Sequence, residues 1–325
     1  MIHGDARRAA LERWLATYFQ GAQFSLAPAS EDASFRRYFR AVLGDGRSYI
    51  AMDAPPEKED CRPFVHVAAL MREAGVNAPQ VHAQDLALGF LLLSDLGTKT
   101  YLQALDPGNA ARLFGDATGA LVRWQLATRA GELPPYDETL LLRELNLFSD
   151  WYLARHLNLV LDDEKKETLE KTFKLLVGSA LAQPAVYVHR DYIPRNLMLC
   201  EPNPGVLDFQ DAVLGPITYD IVCLLRDAFV SWDEEQVLDW CVRYWEKAKR
   251  AGLPVETDFA GFWRAFEWMG LQRHLKVLGI FARLNYRDGK PKYLADTPRF
   301  IGYALSVARR YGPLAPLAHL LEEIA

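Results

Sequence analysis

Asp191, Asn196 and Asp208 have the residue types and the spacing to move a phosphoryl group. They lie in His189-Arg190-Asp191-Tyr192-Ile193-Pro194-Arg195-Asn196 and in Asp208-Phe209, with Asp208 twelve residues beyond Asn196. In such a pattern the first Asp orients a hydroxyl nucleophile and accepts its proton. The Asn and the second Asp hold the magnesium ion that neutralises a triphosphate. An Asp and an Asn five residues apart on a tight loop can face one small volume, and the next strand returns the second Asp to it. The plainer alternative is a buried polar loop whose His and Asp bond only to backbone groups. The local sequence favours the chemical reading. Residues 196–199 can form one strand and residues 205–209 its antiparallel partner, with the turn-rich Cys200-Glu201-Pro202-Asn203-Pro204 between them.

The elements around this hairpin follow from apolar periodicity. Residues 5–20 read as an amphipathic helix, with Leu11, Trp14, Leu15, Tyr18 and Phe19 at helical spacing. Strands are expected at 24–28, 37–43 and 48–53, then a helix over 62–74 stopped by Gly75, then strands at 80–84 and 89–94. Beyond residue 96 the pattern turns helical, over 109–128, 138–157 and 163–182. After the hairpin at 186–209 it resumes over 218–230, 234–251, 258–282 and 297–310. The fold class is therefore α+β. A bilobal, protein-kinase-like fold is expected, with a five-stranded antiparallel sheet and its helix in an N-terminal nucleotide-binding lobe (1–95). A mainly helical C-terminal lobe (96–325) would carry catalysis and substrate binding. A cleft at the junction is a favoured small-molecule site.

Composition removes other classes. A net charge of −5 gives no basic footprint for nucleic acid. No run of eighteen apolar residues occurs, so no membrane span is expected. The N-terminus lacks the apolar core of a secretory signal. Cys61, Cys200, Cys223 and Cys241 are scattered, which suggests reduced thiols and a cytoplasmic protein rather than zinc or disulfides.

On the nucleotide side, the turn at residues 29–36 would lie over the triphosphate. Ser34, Phe35 and Arg36 are the candidate contacts, and the turn contains no Gly, unlike the G-x-G-x-x-G of protein kinases. The position of the usual strand lysine is Met52, in Tyr49-Ile50-Ala51-Met52-Asp53. A Met cannot neutralise phosphate, although it can pack on adenine or on the strand behind it. Charge compensation is then expected from Mg²⁺ and a nearby cation, with Arg36, Arg37 and Lys58 as candidates. The run Leu91-Leu92-Leu93-Ser94-Asp95-Leu96-Gly97 suits an inter-lobe hinge. Leu93 would offer backbone to the adenine edge, and Asp95 would cap the connection.

With these residues in hand, the segment 188–198 together with 205–212 resembles the aminoglycoside phosphotransferase and choline kinase superfamily, over roughly residues 25–310. Within it, the runs at 49–56, 208–220 and 275–284 are similar to a bacterial branch of anomeric amino-sugar kinases, and Met52 fits that branch. The resemblance implies ATP-dependent, Mg²⁺-assisted phosphorylation of the C1 hydroxyl of N-acetylmuramate or N-acetylglucosamine in cell-wall recycling. A sugar-1-phosphate nucleotidyltransferase would use the product. By the same resemblance Asp191 is the base, and Asn196 and Asp208 are the metal ligands. His189 braces the loop, and Asp220 ties the loop to its lobe. Asp211 would bond a sugar hydroxyl or cap a helix. Arg283 and Arg287 lie in a polar cluster expected to interrupt two helices, and would meet the lactyl carboxylate of muramate. Two other readings stay open: a kinase for an aminoglycoside, choline-like amine or amino alcohol, and a pseudokinase binding module.

Overall fold

Short apolar runs build the N-terminal sheet. The computed structural model describes residues 2–30 and 35–325, apart from the side chains of residues 2–5 and 30. The first elements are α1 (Ile2–Tyr18), β1 (Phe24–Ser30), β2 (Arg37–Leu43), β3 (Ser48–Asp53), α2 (Arg62–Glu73), β4 (Val81–Asp85) and β5 (Phe90–Ser94). Phe39, Ala41 and Leu43 are the buried positions of β2, the period-two pattern of a half-buried strand. The strands pair antiparallel in the order β1-β2-β3-β5-β4, as expected, with α2 after the third. Leu11 and Leu15 of α1 pack against Phe39, Ala51, Phe90 and Leu92. Each such Leu contributes about 1.5–3 kcal/mol by leaving water. Gly89 turns the chain into β5 at φ +72°, where a Cβ would fall 1.8 Å from the Ala54 carbonyl oxygen, so no larger residue fits there.

The later elements are α3 (Tyr101–Ala104), α4 (Ala110–Leu126), α5 (Glu138–Leu147), a π-helical stretch (Phe148–His156), α6 (Asp163–Leu181), β6 (Ala185–Val188), β7 (Leu197–Met198), β8 (Gly205–Val206) and β9 (Val213–Pro216). They end with α7 (Tyr219–Leu225), α8 (Glu234–Arg250), α9 (Phe259–Tyr286), α10 (Thr297–Arg310) and α11 (Ala315–Glu323). Three features depart from the sequence expectation. The helix expected over 138–157 changes to π geometry at Phe148. The β6–β9 pairing was not foreseen. The polar run 283–290 does not begin as a loop: α9 carries its buried face through Phe281 and Ala282, continues to Tyr286, and meets no breaker before Gly289 at φ +65°. Arg283 is thus a helical residue.

The chain divides into two compact units, Met1–Leu105 with Arg195–Asp211, and Asp106–Pro194 with Ala212–Ala325. The 195–211 hairpin therefore packs with the N-terminal residues. Val206 N–H donates to the Asn77 carbonyl at 2.8 Å and Leu199 N–H to the Lys99 carbonyl at 2.8 Å. Asn77 Nδ2 donates to the Pro202 carbonyl at 2.6 Å. In the second unit α9 is the central helix. Gly279 lets it approach α5 so closely that a Cβ would meet the Leu147 carbonyl carbon at 2.2 Å. Among the described residues no helix is long and apolar enough to cross a membrane.

Candidate active site

The first unit brings Asn196 and Asp208 together. β7 and β8 form a two-stranded hairpin, and Leu207 N–H donates to the Asn196 carbonyl at 2.9 Å, closing its open end. Asn196 Nδ2 then donates to Asp208 Oδ2 at 3.2 Å, and Gln210 Nε2 donates to Asp208 Oδ1 at 3.0 Å. Gln210 Nε2 also reaches Asp211 Oδ2 at 3.4 Å, and Asp211 is exposed. Asp208 sits at φ 63°, a left-handed conformation that Asp tolerates better than most residues. The next residue, Phe209, is fully buried, its ring centroid 4.8 Å from that of Phe64 in α2. An apolar anchor thus holds a polar tip.

The donor set fits a magnesium ion. Among the described residues no group of three or more His, Cys, Asp or Glu side chains is placed to hold a metal ion. Mg²⁺ does not need one, because it binds through one or two carboxylates and takes its remaining oxygens from phosphates and water. The Asn196 amide oxygen and the Asp208 carboxylate are suitable hard donors.

The other nucleotide-side candidates also belong to this unit. Ser34 lies outside the described residues. Phe35 is exposed, with the Lys58 ammonium 5.5 Å from its ring centroid. Arg36 Nη2 donates to Glu59 Oε2 at 2.9 Å, and both side chains are largely buried. Burial opposes the charge of Arg36, yet the fields of Tyr38, Glu59, Asp208 and Asp211 outweigh it and raise the pKa. Arg37 is bound, with Arg7, to the fully buried Asp53. Met52 is fully buried, opposite Tyr38 on β2 and Leu91 on β5. Leu93 is buried in β5. Asp95 accepts from Gly97 N–H at 2.9 Å and from Arg40 at 2.6 and 3.0 Å. Burial pushes its carboxyl up, but these bonds hold it below the usual range.

The second unit supplies Asp191, three residues beyond the end of β6. Asp220 Oδ2 accepts from His189 N–H at 2.7 Å and Oδ1 from Arg190 N–H at 3.0 Å. Burial raises the Asp220 pKa to about 7, against those two bonds. Asp191 N–H donates to His189 Nδ1 at 3.2 Å, and His189 is fully buried. Tyr192 hydroxyl donates to the Ala117 carbonyl at 2.8 Å. The backbone N–H groups of His189, Arg190 and Asp191 are therefore tied down, while Asp191 itself is exposed.

A buried charge network underlies this loop, and the sequence reading missed it. Arg190, at φ 76°, donates from Nη2 to Glu144 Oε1 at 2.5 Å, with its guanidinium 5.6 Å from the Tyr136 ring centroid. Lys276 Nζ lies 2.9 Å from the same Glu144 oxygen and donates to the Tyr219 hydroxyl at 3.0 Å. The Tyr136 hydroxyl donates to the other Glu144 oxygen. Burial pushes the Glu144 carboxyl up, but Lys276 and Arg190 prevail and lower it to about 2. One signal was available. Glu144 stands with Leu141, Leu145 and Phe148 on the apolar stripe of its helix, where an unpartnered carboxylate is not tolerated.

Arg283 and Arg287 stand at the C-terminal end of α9. Arg287 is exposed and pairs with Asp288 at 2.8 and 2.9 Å. Arg283 is half-buried; burial and the neighbouring Arg287 charge lower its pKa.

The sequence profile of the phosphotransferase enzyme family matches residues 25–253. The chain is 59% identical over 299 residues to the N-acetylmuramate/N-acetylglucosamine kinase of Pseudomonas aeruginosa, covering 92% of this chain and 88% of that protein. It is 52% identical over 322 residues to the protein of the same name from Neisseria meningitidis serogroup B, covering 98% and 96%. Among solved structures it resembles an ADP-bound aminoglycoside phosphotransferase with TM-score 0.60 at 16% identity, covering 91% of this chain and 97% of that one. It also resembles an ethanolamine kinase from Plasmodium vivax with TM-score 0.63 at 11% identity, covering 87% and 82%. At such low identity these last two show a shared fold alone.

Proposed function

The chain belongs to the phosphotransferase enzyme family, and from that premise we propose that it is an ATP-dependent kinase phosphorylating the C1 hydroxyl of N-acetylmuramate and N-acetylglucosamine. Kinases of this family use a nucleotide donor and a divalent metal, and magnesium is the ion assigned here. The observation that carries the substrate assignment is the similarity to two kinases named for these sugars, over nearly the whole chain.

The roles follow from the side chains. Asp191 orients the C1 hydroxyl and takes its proton as the oxygen bonds to the γ-phosphorus and the bridge to the β-phosphate breaks. An exposed carboxylate on a fixed backbone suits that task. Asn196 and Asp208 would hold the ion, which when bound neutralises charge on the triphosphate. The segment with Ser34, Phe35 and Arg36 covers the phosphates. Met52 packs the sheet from within, Leu93 offers backbone to the adenine edge, and Asp95 fixes the turn at Gly97. Asp211 bonds a sugar hydroxyl, while Arg283 and Arg287 receive the lactyl carboxylate. The product is a sugar 1-phosphate. In the cytoplasm it would pass to a sugar-1-phosphate nucleotidyltransferase during cell-wall recycling.

The test is an ADP-release assay over a panel of free amino sugars, choline, ethanolamine and aminoglycosides. Metal-dependent turnover with the two amino sugars, and none with the amines, is expected. Turnover confined to a cationic amine would overturn the assignment.

A further inference from the structure

Kinase-type lobes place a lysine on the third strand to meet the nucleotide's phosphates. Here that strand position is Met52, which is apolar and fully buried. Arg36, Arg37 and Lys58 are the candidate substitutes, and their surroundings separate them. Arg37 is committed to Asp53, a carboxylate with no exposure that it shares with Arg7, and withdrawing it would strip one buried carboxylate oxygen of its partner. Lys58 is solvated and rests against the exposed ring of Phe35. Arg36 differs from both. Its side chain is only 10% exposed, it is paired with Glu59, and it stands in the fields of Asp208 and Asp211.

Local packing explains why the fields of those carboxylates reach one cation. Glu59 lies just before α2, and Phe64 in the first turn of α2 packs on Phe209, the residue after Asp208. The start of α2 therefore holds the Asp208-Phe209 corner near Glu59, and Arg36 bridges from the edge of β2. We infer that Arg36, steadied by Glu59, is the cation that meets the nucleotide's phosphates in place of the absent strand lysine. Glu59 pairs with the guanidinium, and the charges of Asp208 and Asp211, felt there only as fields, are left for a divalent ion to cancel. Once Asp208 is engaged with that ion, Arg36 loses one anionic neighbour and can donate to phosphate oxygens. Its fork suits two of them at once.

This inference rests on the kinase reading above, and nucleotide binding separates the two. Binding of ATP and of adenosine is measured by titration calorimetry, with and without Mg²⁺, for the wild type, Arg36→Ala, Arg36→Lys and Glu59→Gln. Arg36→Ala is expected to weaken ATP by about 10- to 100-fold with Mg²⁺, the loss of a charged hydrogen-bond pair, by less without it, and to leave adenosine unchanged. Arg36→Lys should recover part of the loss, and Glu59→Gln should weaken ATP by a few-fold. If Arg36→Ala does not fold, Arg36→Lys and Glu59→Gln carry the test through the same ATP-to-adenosine ratio. An unchanged ratio in the folded variants, beside normal ATP binding by the wild type, would overturn the role of Arg36 alone. A wild type that binds no ATP would overturn the kinase reading with it.

Discussion

The segments carrying Asp191 and Asp208 are neighbours in sequence but are held in opposite ways. Around Asp191 the fixings are buried carboxyl groups: Asp220 on two backbone N–H groups, and Glu144 between Arg190 and Lys276. Asp208 accepts from the neutral amides of Asn196 and Gln210, while a buried phenyl ring anchors the next residue. The difference matches the role proposed for each carboxylate. A base must be aimed, so its backbone is immobilised and its side chain left exposed. A metal ligand must exchange partners, and an amide hydrogen bond is given up more readily than an ion pair.

The largest effect should come from the aimed carboxylate. Asp191→Asn is expected to lower kcat by about 10³-fold, within the usual range for losing a general base, with Tm close to wild type. A large fall in Tm with kcat preserved would break the comparison. Next is its support. Glu144→Gln should cost on the order of 3 kcal/mol at neutral pH in chemical denaturation, because two buried cations lose their shared anion. The sign is fixed by the carboxyl's depressed pKa, about 2 folded against an ordinary 4.5. Its stabilisation is complete above pH 4.5 and fades as pH falls towards 2, so wild type and variant should converge in acid. A gap independent of pH would contradict the ion-pair account.

Asp208→Asn tests the exchangeable side. It should lower kcat by about 10²-fold and raise the magnesium concentration needed for half-maximal rate, with sugar KM little changed. Sugar KM rising while kcat holds would remove Asp208 from the metal site. The smallest effect is expected at the end of α9. Arg283→Ala and Arg287→Ala should each raise KM for N-acetylmuramate by about 10-fold and leave that for N-acetylglucosamine alone, since only the former carries a carboxylate. Equal shifts for both sugars would assign these arginines to folding.

Much of this was legible because it is local. β2 alternates in a period of two, β5 is a short continuous apolar run, and the 195–211 hairpin announces itself by two apolar runs around Pro202 and Pro204. What escaped is long-range. Arg190 and Glu144 are 46 residues apart, and nothing in either neighbourhood names the other. The hairpin's packing with Asn77 and Lys99 is likewise invisible to periodicity. The π-helical stretch after Leu147 escaped because its apolar spacing reads as ordinary helix, and the geometry depends on packing against α9. Arg283 was placed in a loop because its polar neighbours resemble one, whereas the buried face of α9 carries the helix past it.

The most direct test of the central claim is the phosphorus NMR spectrum of the product formed from ATP, Mg²⁺ and N-acetylmuramate. The account predicts a phosphomonoester signal coupled to the anomeric proton, absent when Asp191→Asn replaces the wild type. A signal coupled to the C6 protons, or an unchanged signal with that variant, would contradict it.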